Sequence, residues 1–267
     1  RLDFPPLVIQ LDQLVGNWGR FESTVMQSAG QGASIDFRFR NGKKVAFEAH
    51  EILVDKLLTD LKAYIRSSPQ QLDWNKTQIS NMGWRLVQQN ETQYLGEKKA
   101  SWELPLEPRE NHYDSRETVA TPLQKAGAYL LTAKMADGNV SRIIVWLADT
   151  AIVKKPMPDK TYYFVADAAT GSPVAKANVE FFGYKQRPID NGRRYAIDVS
   201  MFAENTDADG QILLDRTAQS NEFNWLITAR NDAGRLAYLG FTGVWFPNNY
   251  EHEYNPVSYT HLTLPTN

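Results

Sequence analysis

Cysteine is absent from the 267-residue sequence, and its absence removes several kinds of chemistry at once. The chain can form no disulfide, no thiolate metal site, no internal thioester and no cysteine nucleophile. Histidine is scarce, because only His50, His112, His252 and His261 occur, and no two of them stand at a metal-ligand spacing. No apolar run approaches the roughly 18 residues that cross a membrane, so we expect no direct membrane span. The formal net charge of −2 gives no general attraction to nucleic acid, and none is expected as a partner.

Motifs for catalysis and cofactor binding are also missing. No serine lies in a Gly-x-Ser-x-Gly elbow, and the glycines of residues 30–32 do not precede a helical pattern, so they form no phosphate cradle. Residues 207–210 resemble the start of an EF-hand loop, but the glycine comes too early and Ala218 stands where a bidentate Glu is required, which favours a plain turn. We therefore predict no catalytic residue, no cofactor-binding residue and no metal ligand.

The residues that are plentiful favour β-structure, since aromatic residues make up 12% of the chain. Apolar and polar residues alternate through residues 35–52, with Asn41-Gly42 in the middle, and this pattern predicts a β-hairpin with a type I′ turn. A second hairpin is predicted over residues 128–148, with Asp137-Gly138 in its turn.

One helix interrupts the first group of strands. Apolar residues recur at spacings of three and four over residues 54–66, and Pro69 follows shortly after, which predicts an amphipathic helix that ends there. Beyond it the chain is polar and irregular, with Trp74 and Trp84 expected to anchor it on a sheet. Strands are predicted again at residues 83–87 and 100–106.

The second half of the chain repeats short strands separated by turn residues. A boundary loop is predicted at residues 149–158, where Pro156 and Pro158 follow two lysines. The spacing of the later strands and the lack of β-α-β alternation indicate a sandwich. The fold class is therefore all-β, as tandem antiparallel β-sandwich domains at residues 20–150, with a helical insertion near residues 54–66, and at residues 151–248.

The two ends of the chain are assigned differently. Residues 1–19 are predicted to be a linker or the end of a preceding element, and residues 249–256 a linker. Residues 257–266 read VSYTHLTLPT, which resembles the translation of a sequencing adapter. Residues 257–267 are therefore expected to be a non-native tail, and the native protein to continue beyond residue 256.

Residues 125–186 carry a resemblance to a known family. Gly127-Ala128-Tyr129 and the Trp146 strand, followed by the D-ATG-PVA-A-V-F stretch of residues 167–182, resemble the large bacterial α2-macroglobulins. The TD-x-x-G turn of residues 206–210 and the strand-plus-helix segment upstream resemble the same family. The resemblance covers most of residues 20–245.

That resemblance implies structural, non-enzymatic macroglobulin-like domains of a protease-trapping endopeptidase inhibitor. Its partners would be the proteases that the full-length protein traps and the neighbouring macroglobulin domains of the same chain. It also implies the periplasm, the cell envelope or the extracellular space. Two alternatives stay open: a binding or adhesion module of a bacterial surface protein, and an enzyme whose catalytic residues lie beyond residue 256.

Overall fold

The computed structural model describes residues 14–79, 82–87, 89, 91–189, 191, 194–232, 234–247 and 258–259. Its contacts divide the chain into two units. The first unit reaches to Leu53 and resumes from Gly83 to Leu147, whereas the second takes Val54–Met82 and Ala148–Leu264. The linker and most of the tail predicted at residues 249–267 lie outside the described residues.

The first unit is a sandwich of two antiparallel sheets. A three-stranded sheet has the order β1-β3-β6, and a five-stranded sheet has the order β2-β8-β7-β4-β5. Its strands are β1 (Trp18–Phe21), β2 (Gln27–Ser28), β3 (Ser34–Arg40), β4 (Lys44–Ile52), β5 (Leu95–Pro105), β6 (Ser115–Ala120), β7 (Gly127–Met135) and β8 (Val140–Ala148).

The hairpin predicted at residues 35–52 is wrong, although both of its strands exist. β3 pairs with β1 and β6, whereas β4 pairs with β5 and β7, so the chain crosses from one sheet to the other at Asn41-Gly42. Asn41 has a positive φ of 62°, but Gly42 does not, so the turn is not type I′. A Cβ on Gly42 would overlap the sulfur of Met135, which shows that this glycine serves close packing. Alternation indicates which side of each strand is buried, but it does not determine the strand with which that strand pairs.

Inward side chains of both sheets form one core in the first unit. Phe37 of β3 and Phe47 of β4 meet edge to face, with ring centroids 5.6 Å apart. The second predicted hairpin is confirmed, because β7 and β8 pair without interruption from Gly127 opposite Leu147 to Lys134 opposite Val140.

The second unit is also a sandwich of two antiparallel sheets. Their orders are β13-β10-β9-β16 and β12-β11-β14-β15. The strands are β9 (Thr150–Met157), β10 (Lys160–Asp167), β11 (Asn178–Ile189), β12 (Arg194–Asn205), β13 (Gln211–Asp215), β14 (Asn224–Arg230), β15 (Leu236–Gly243) and β16 (Ser258–Tyr259). Tyr163, Phe181 and Trp225 are almost fully buried in its core. The all-β fold of two sandwiches is confirmed.

Strand β9 replaces the boundary loop that was predicted at residues 149–158. Thr150, Ile152, Lys154 and Pro156 are buried at alternate positions, as expected of a strand with one face against a core. The sequence hid this strand because a lysine and a proline stand in its inward row, where apolar residues usually mark the alternation.

The longer helical segments of the described chain are α1 (Val54–Arg66), α2 (Trp74–Thr77) and α3 (Met82–Val87), and short 3-10 helices lie at Thr92–Tyr94 and Glu110–His112. The predicted helix is confirmed as α1, whose contacts group it with the second unit and not with residues 20–53. The strand predicted at residues 83–87 is wrong, because this short apolar run is helical and a run of that length has no period that distinguishes the two. Trp74 is 55% exposed and does not anchor the segment, and the side chain of Trp84 lies outside the described atoms.

Candidate functional site

The acidic turn at residues 207–210 is held by its own backbone. The Asp207 carboxylate accepts hydrogen bonds from the amides of Asp209, at 2.9 Å, and Gln211, at 2.8 Å. Gly210 has a φ of 72°, and a Cβ there would lie 2.6 Å from the carbonyl oxygen of Val165. One Asp207 oxygen is thus used by the turn, which is the plain turn that the sequence favoured.

The histidines lie apart from one another. His50 is on β4, opposite Lys98 and Leu130, while Nδ1 of His112 lies 2.8 Å from Oδ1 of Asn41. His252 and His261 are outside the described residues. Among the residues that the structure describes, no three His, Asp or Glu side chains are grouped closely enough to hold a metal ion.

Asp167 and Arg235 tie three parts of the second unit together. One Arg235 nitrogen donates to the Asp167 carboxylate at 2.7 Å and to the Asp149 carbonyl oxygen at 2.9 Å. The other oxygen of Asp167 accepts from the amides of Ala169 and Thr170 and from the Thr170 hydroxyl. The guanidinium, followed by the Thr170 donors, holds the pKa of Asp167 well below its usual range. This first residue of the D-ATG motif is therefore a structural clamp.

Lys154 is the most unusual titratable group of the second unit. It points inward from β9, is 6% exposed, and donates to the Thr242 hydroxyl at 3.2 Å and the Gly243 carbonyl oxygen at 2.5 Å. Both acceptors are neutral, so the hydrogen bonds offset part of the cost of burying the ammonium but no opposite charge in these contacts offsets the rest. Burial lowers the pKa of Lys154 to about 8. The sequence shows no sign of this buried position, because the lysine lies in a segment that was predicted to be a loop.

A row of arginines crosses the outer face of the three-stranded sheet. Arg20 lies opposite Arg38, and Arg38 lies opposite Arg116. Like charges directly opposite each other repel. Glu22 offsets the repulsion, since its carboxylate accepts from Arg38 at 2.6 and 2.9 Å and also from Arg116, and Asp36 lies 3.3 Å from Arg116. These hydrogen bonds, that of Arg38 first, hold the pKa of Glu22 below its ordinary value. The row is a solvated structural network in which two carboxylates offset the three guanidinium groups.

Helix α1 lies on the outer face of the sheet that contains β11, β12 and β14. Lys62 binds Glu180 at 2.8 Å, Asp55 binds Arg230 at 2.5 Å, and Arg66 lies over the ring of Phe182 with its Cζ 5.4 Å from the centroid. Phe182 is fully buried although it points away from the sandwich core. The sequence predicted the helix and its apolar stripe, but gave no signal for the sheet on which it lies.

These features define a class of protein: tandem β-sandwich modules whose polar clusters serve turns and strand contacts. No helix in the described part of the chain is long and apolar enough to cross a membrane. No family model matches the chain, and no curated protein matches it.

Solved structures of bacterial α2-macroglobulins are similar to this chain. Native alpha-2-macroglobulin from Escherichia coli spanning domains NIE-MG1 matches with a TM-score of 0.50 and 16% identity, over 85% of this chain and 97% of that chain. The E. coli structure spanning domains MG0-NIE-MG1 matches with a TM-score of 0.52 and 16% identity, over 85% of this chain and 65% of that one. A mutant Salmonella alpha-2-macroglobulin gives a TM-score of 0.46 at 16% identity, and there this chain covers 12% of the other. The family resemblance drawn from the sequence is thereby confirmed as a likeness of fold.

Proposed function

We propose that these sandwiches are structural domains of a bacterial α2-macroglobulin-like protein that traps proteases. The observation that carries the proposal is the match to the NIE-MG1 structure, which extends over 85% of this chain and 97% of the other. A match that covers nearly all of a two-domain structure supports a correspondence of both domains. A likeness limited to one sandwich would not cover so much of the other chain.

The division of the chain supports an assignment of the two units. The first unit would correspond to the domain called NIE and the second to MG1, in the order that the E. coli structure names them. The domains would then run over residues 20–150 and 151–248, except that α1 belongs with the second. Helix α1 is a departure from a plain tandem of sandwiches, since it follows strands of the first unit in sequence but is grouped with the second by its contacts.

In this proposal the chain itself carries no catalytic residue and no cofactor. Its part is to form rigid shell modules, because cores such as those around Phe47 and Trp225 let each sandwich move as one body. Endopeptidase inhibition would reside in the full-length protein, with the trapped protease and the adjoining macroglobulin domains as partners. The periplasm or cell envelope is the compartment that we propose for it.

The test uses the intact protein that contains this chain. It is mixed with an active endoprotease, and the products are separated by size exclusion and by denaturing electrophoresis. We expect cleavage at one region and co-elution of the protease with the cleaved protein. The matched control is the same protease with its active site blocked, which should neither cleave the protein nor elute with it.

Two results would contradict the proposal. Degradation at many sites without retention of the protease would remove the inhibitor function and favour the adhesion or binding module. Hydrolysis of a small substrate by the intact protein alone, lost when its residues beyond this chain are altered, would favour the enzyme.

A further inference from the structure

Strand β12 lies at the edge of its sheet and is unusually long for an edge strand. It pairs with β11 through twelve consecutive residue pairs, from Asn178 opposite Asn205 to Ile189 opposite Arg194, with no register shift. Within the described residues, no other sheet edge is formed by a strand of this length. One side of β12 therefore presents a straight row of backbone donors and acceptors without a strand partner in this part of the chain.

The outer face of β12 is apolar from Tyr195 to Ala203. Phe202 points into the core, where its ring stacks on Phe181, so the residues at odd positions point outward. Three of these outward residues are large and exposed, namely Tyr195 at 39%, Val199 at 38% and Met201 at 55%. The outward row is Tyr195, Ile197, Val199, Met201 and Ala203, followed by the polar Asn205 at the end of the strand.

Edge strands are commonly protected from pairing by lysine, proline or a bulge, and β12 has none of these. Its one inward-facing charge in the middle of the strand, Asp198, is offset by Arg187 at 3.4 Å. The edge strand β5 of the first unit shows the contrast, because it carries Lys98 and Lys99 and its pairing with β4 is interrupted by register shifts.

Part of β12 also lies in a ribbon of only two strands. β14 pairs with β11 only as far as Tyr184, so the β11–β12 pair continues beyond the sheet as a two-stranded arm.

We propose that β12 pairs antiparallel with β12 of a second copy of this chain, with Val199 opposite Val199 on a two-fold axis. This register places Arg194 opposite Glu204 twice, once on each side of the axis. It also places Ile197 opposite Met201 on the apolar outer face. Opposite charges and apolar pairs that face each other across strands both stabilise a sheet. The interface is self-complementary, as a two-fold dimer requires.

Neighbouring registers lack this complementarity. A two-residue shift in one direction would place Asp198 opposite Asp198, and the same shift in the other direction would leave Arg194 without Glu204. A one-residue shift would place the outward row of one copy on the same side as the core-facing row of the other. The register centred on Val199 is therefore the one that the side chains of β12 select. This inference stands independently of the protease-trap proposal.

Sedimentation of the purified 267-residue chain from about 1 µM to about 200 µM tests the self-pairing. We expect a concentration-dependent dimer. Arg194→Glu alone and Glu204→Arg alone should each weaken the dimer roughly 30-fold, and the double substitution should restore it. A wild-type chain that stays monomeric throughout would overturn the proposal. A dimer that neither single substitution weakens, or that the double substitution fails to restore, would also overturn it.

A crosslink locates the axis directly, because the native chain has no cysteine. Residues directly opposite each other on paired strands have Cα atoms about 4.5–5.5 Å apart, within disulfide range. Val199→Cys should give a covalent dimer under mild oxidation. Leu213→Cys is the matched control, since Leu213 is 52% exposed on the edge strand β13, and it should stay monomeric. Equal crosslinking of the two variants would contradict pairing through β12.

Discussion

The ring of Phe47 lies between Phe37 on the facing sheet and Trp102 on the neighbouring strand. It meets Phe37 edge to face at 5.6 Å and stacks on Trp102 at 5.2 Å, and it is fully buried. One side chain of β4 therefore links both sheets of the first sandwich. Aromatic contacts of this kind stabilise a core beyond the area that they bury.

Phe47→Ala should destabilise the first unit by about 3–5 kcal/mol, because it removes these contacts and leaves a cavity that the two sheets cannot close. Urea unfolding followed by circular dichroism measures the change. Phe47→Leu retains most of the volume and should cost about 1–2 kcal/mol. Equal stability of the alanine variant and the wild type would contradict the packing described here.

Gly183→Ala should destabilise the second unit by roughly 1–3 kcal/mol. A Cβ at Gly183 would lie 2.8 Å from the indole ring of Trp225, and this ring is buried and cannot shift without disturbing the core. The thermal unfolding midpoint is the measurement. Gly240→Ala is the control, because nothing lies within 4 Å of a Cβ there, and it should leave the midpoint nearly unchanged. A loss of the same size in both variants would show that strand glycines are needed for another reason.

Lys154 should make stability rise with pH above about 8. Its pKa is lowered to about 8 in the folded chain, against 10.5 for the ordinary group, so between these values the unfolded chain binds the extra proton. Deprotonation then favours the folded state. From pH 7 to pH 9.5 the contribution of this lysine to the free energy of unfolding should improve by about 1–2 kcal/mol.

Lys154→Met isolates that contribution, because the other titrating groups are common to the two proteins. Between pH 7 and pH 9.5 the free energy of unfolding of the wild type should increase relative to that of the variant, as measured by urea unfolding at each pH. A constant difference across that range would show that Lys154 is not buried as a titrating ammonium.

Asp167→Asn should lower the thermal unfolding midpoint at neutral pH, since the neutral amide cannot replace the charged acceptor of Arg235. The pKa of Asp167 is lowered in the folded chain, so its stabilising effect is present above the ordinary Asp pKa and is lost as pH falls below it. The gap in midpoint between wild type and variant should therefore narrow from pH 7 to pH 3. A gap that widens on acidification would contradict the clamp.

Alternation and turn residues were enough to predict the sandwich class, helix α1 and the β7–β8 hairpin. They gave wrong predictions where the pairing or the assignment of a strand depends on contacts between residues distant in sequence. Asn41-Gly42 has the composition of a hairpin turn, yet Gly42 is required there by Met135, more than ninety positions away. β9 was missed because Lys154 occupies an inward position, and such a position is stable only where Thr242 and Gly243 supply acceptors. The self-pairing edge of β12 was hidden for a related reason, since a sequence does not reveal which strand is left at the edge of a sheet.

We propose that these sandwiches belong to a protein that closes around a protease, and small-angle X-ray scattering of the intact protein is the sharpest test of that closure. The radius of gyration is measured before and after cleavage by an active endoprotease, with the blocked protease as the reference. We expect the radius of gyration of the protein to fall on cleavage while the protease stays bound. An unchanged or larger radius, with the protease free in solution, would contradict it.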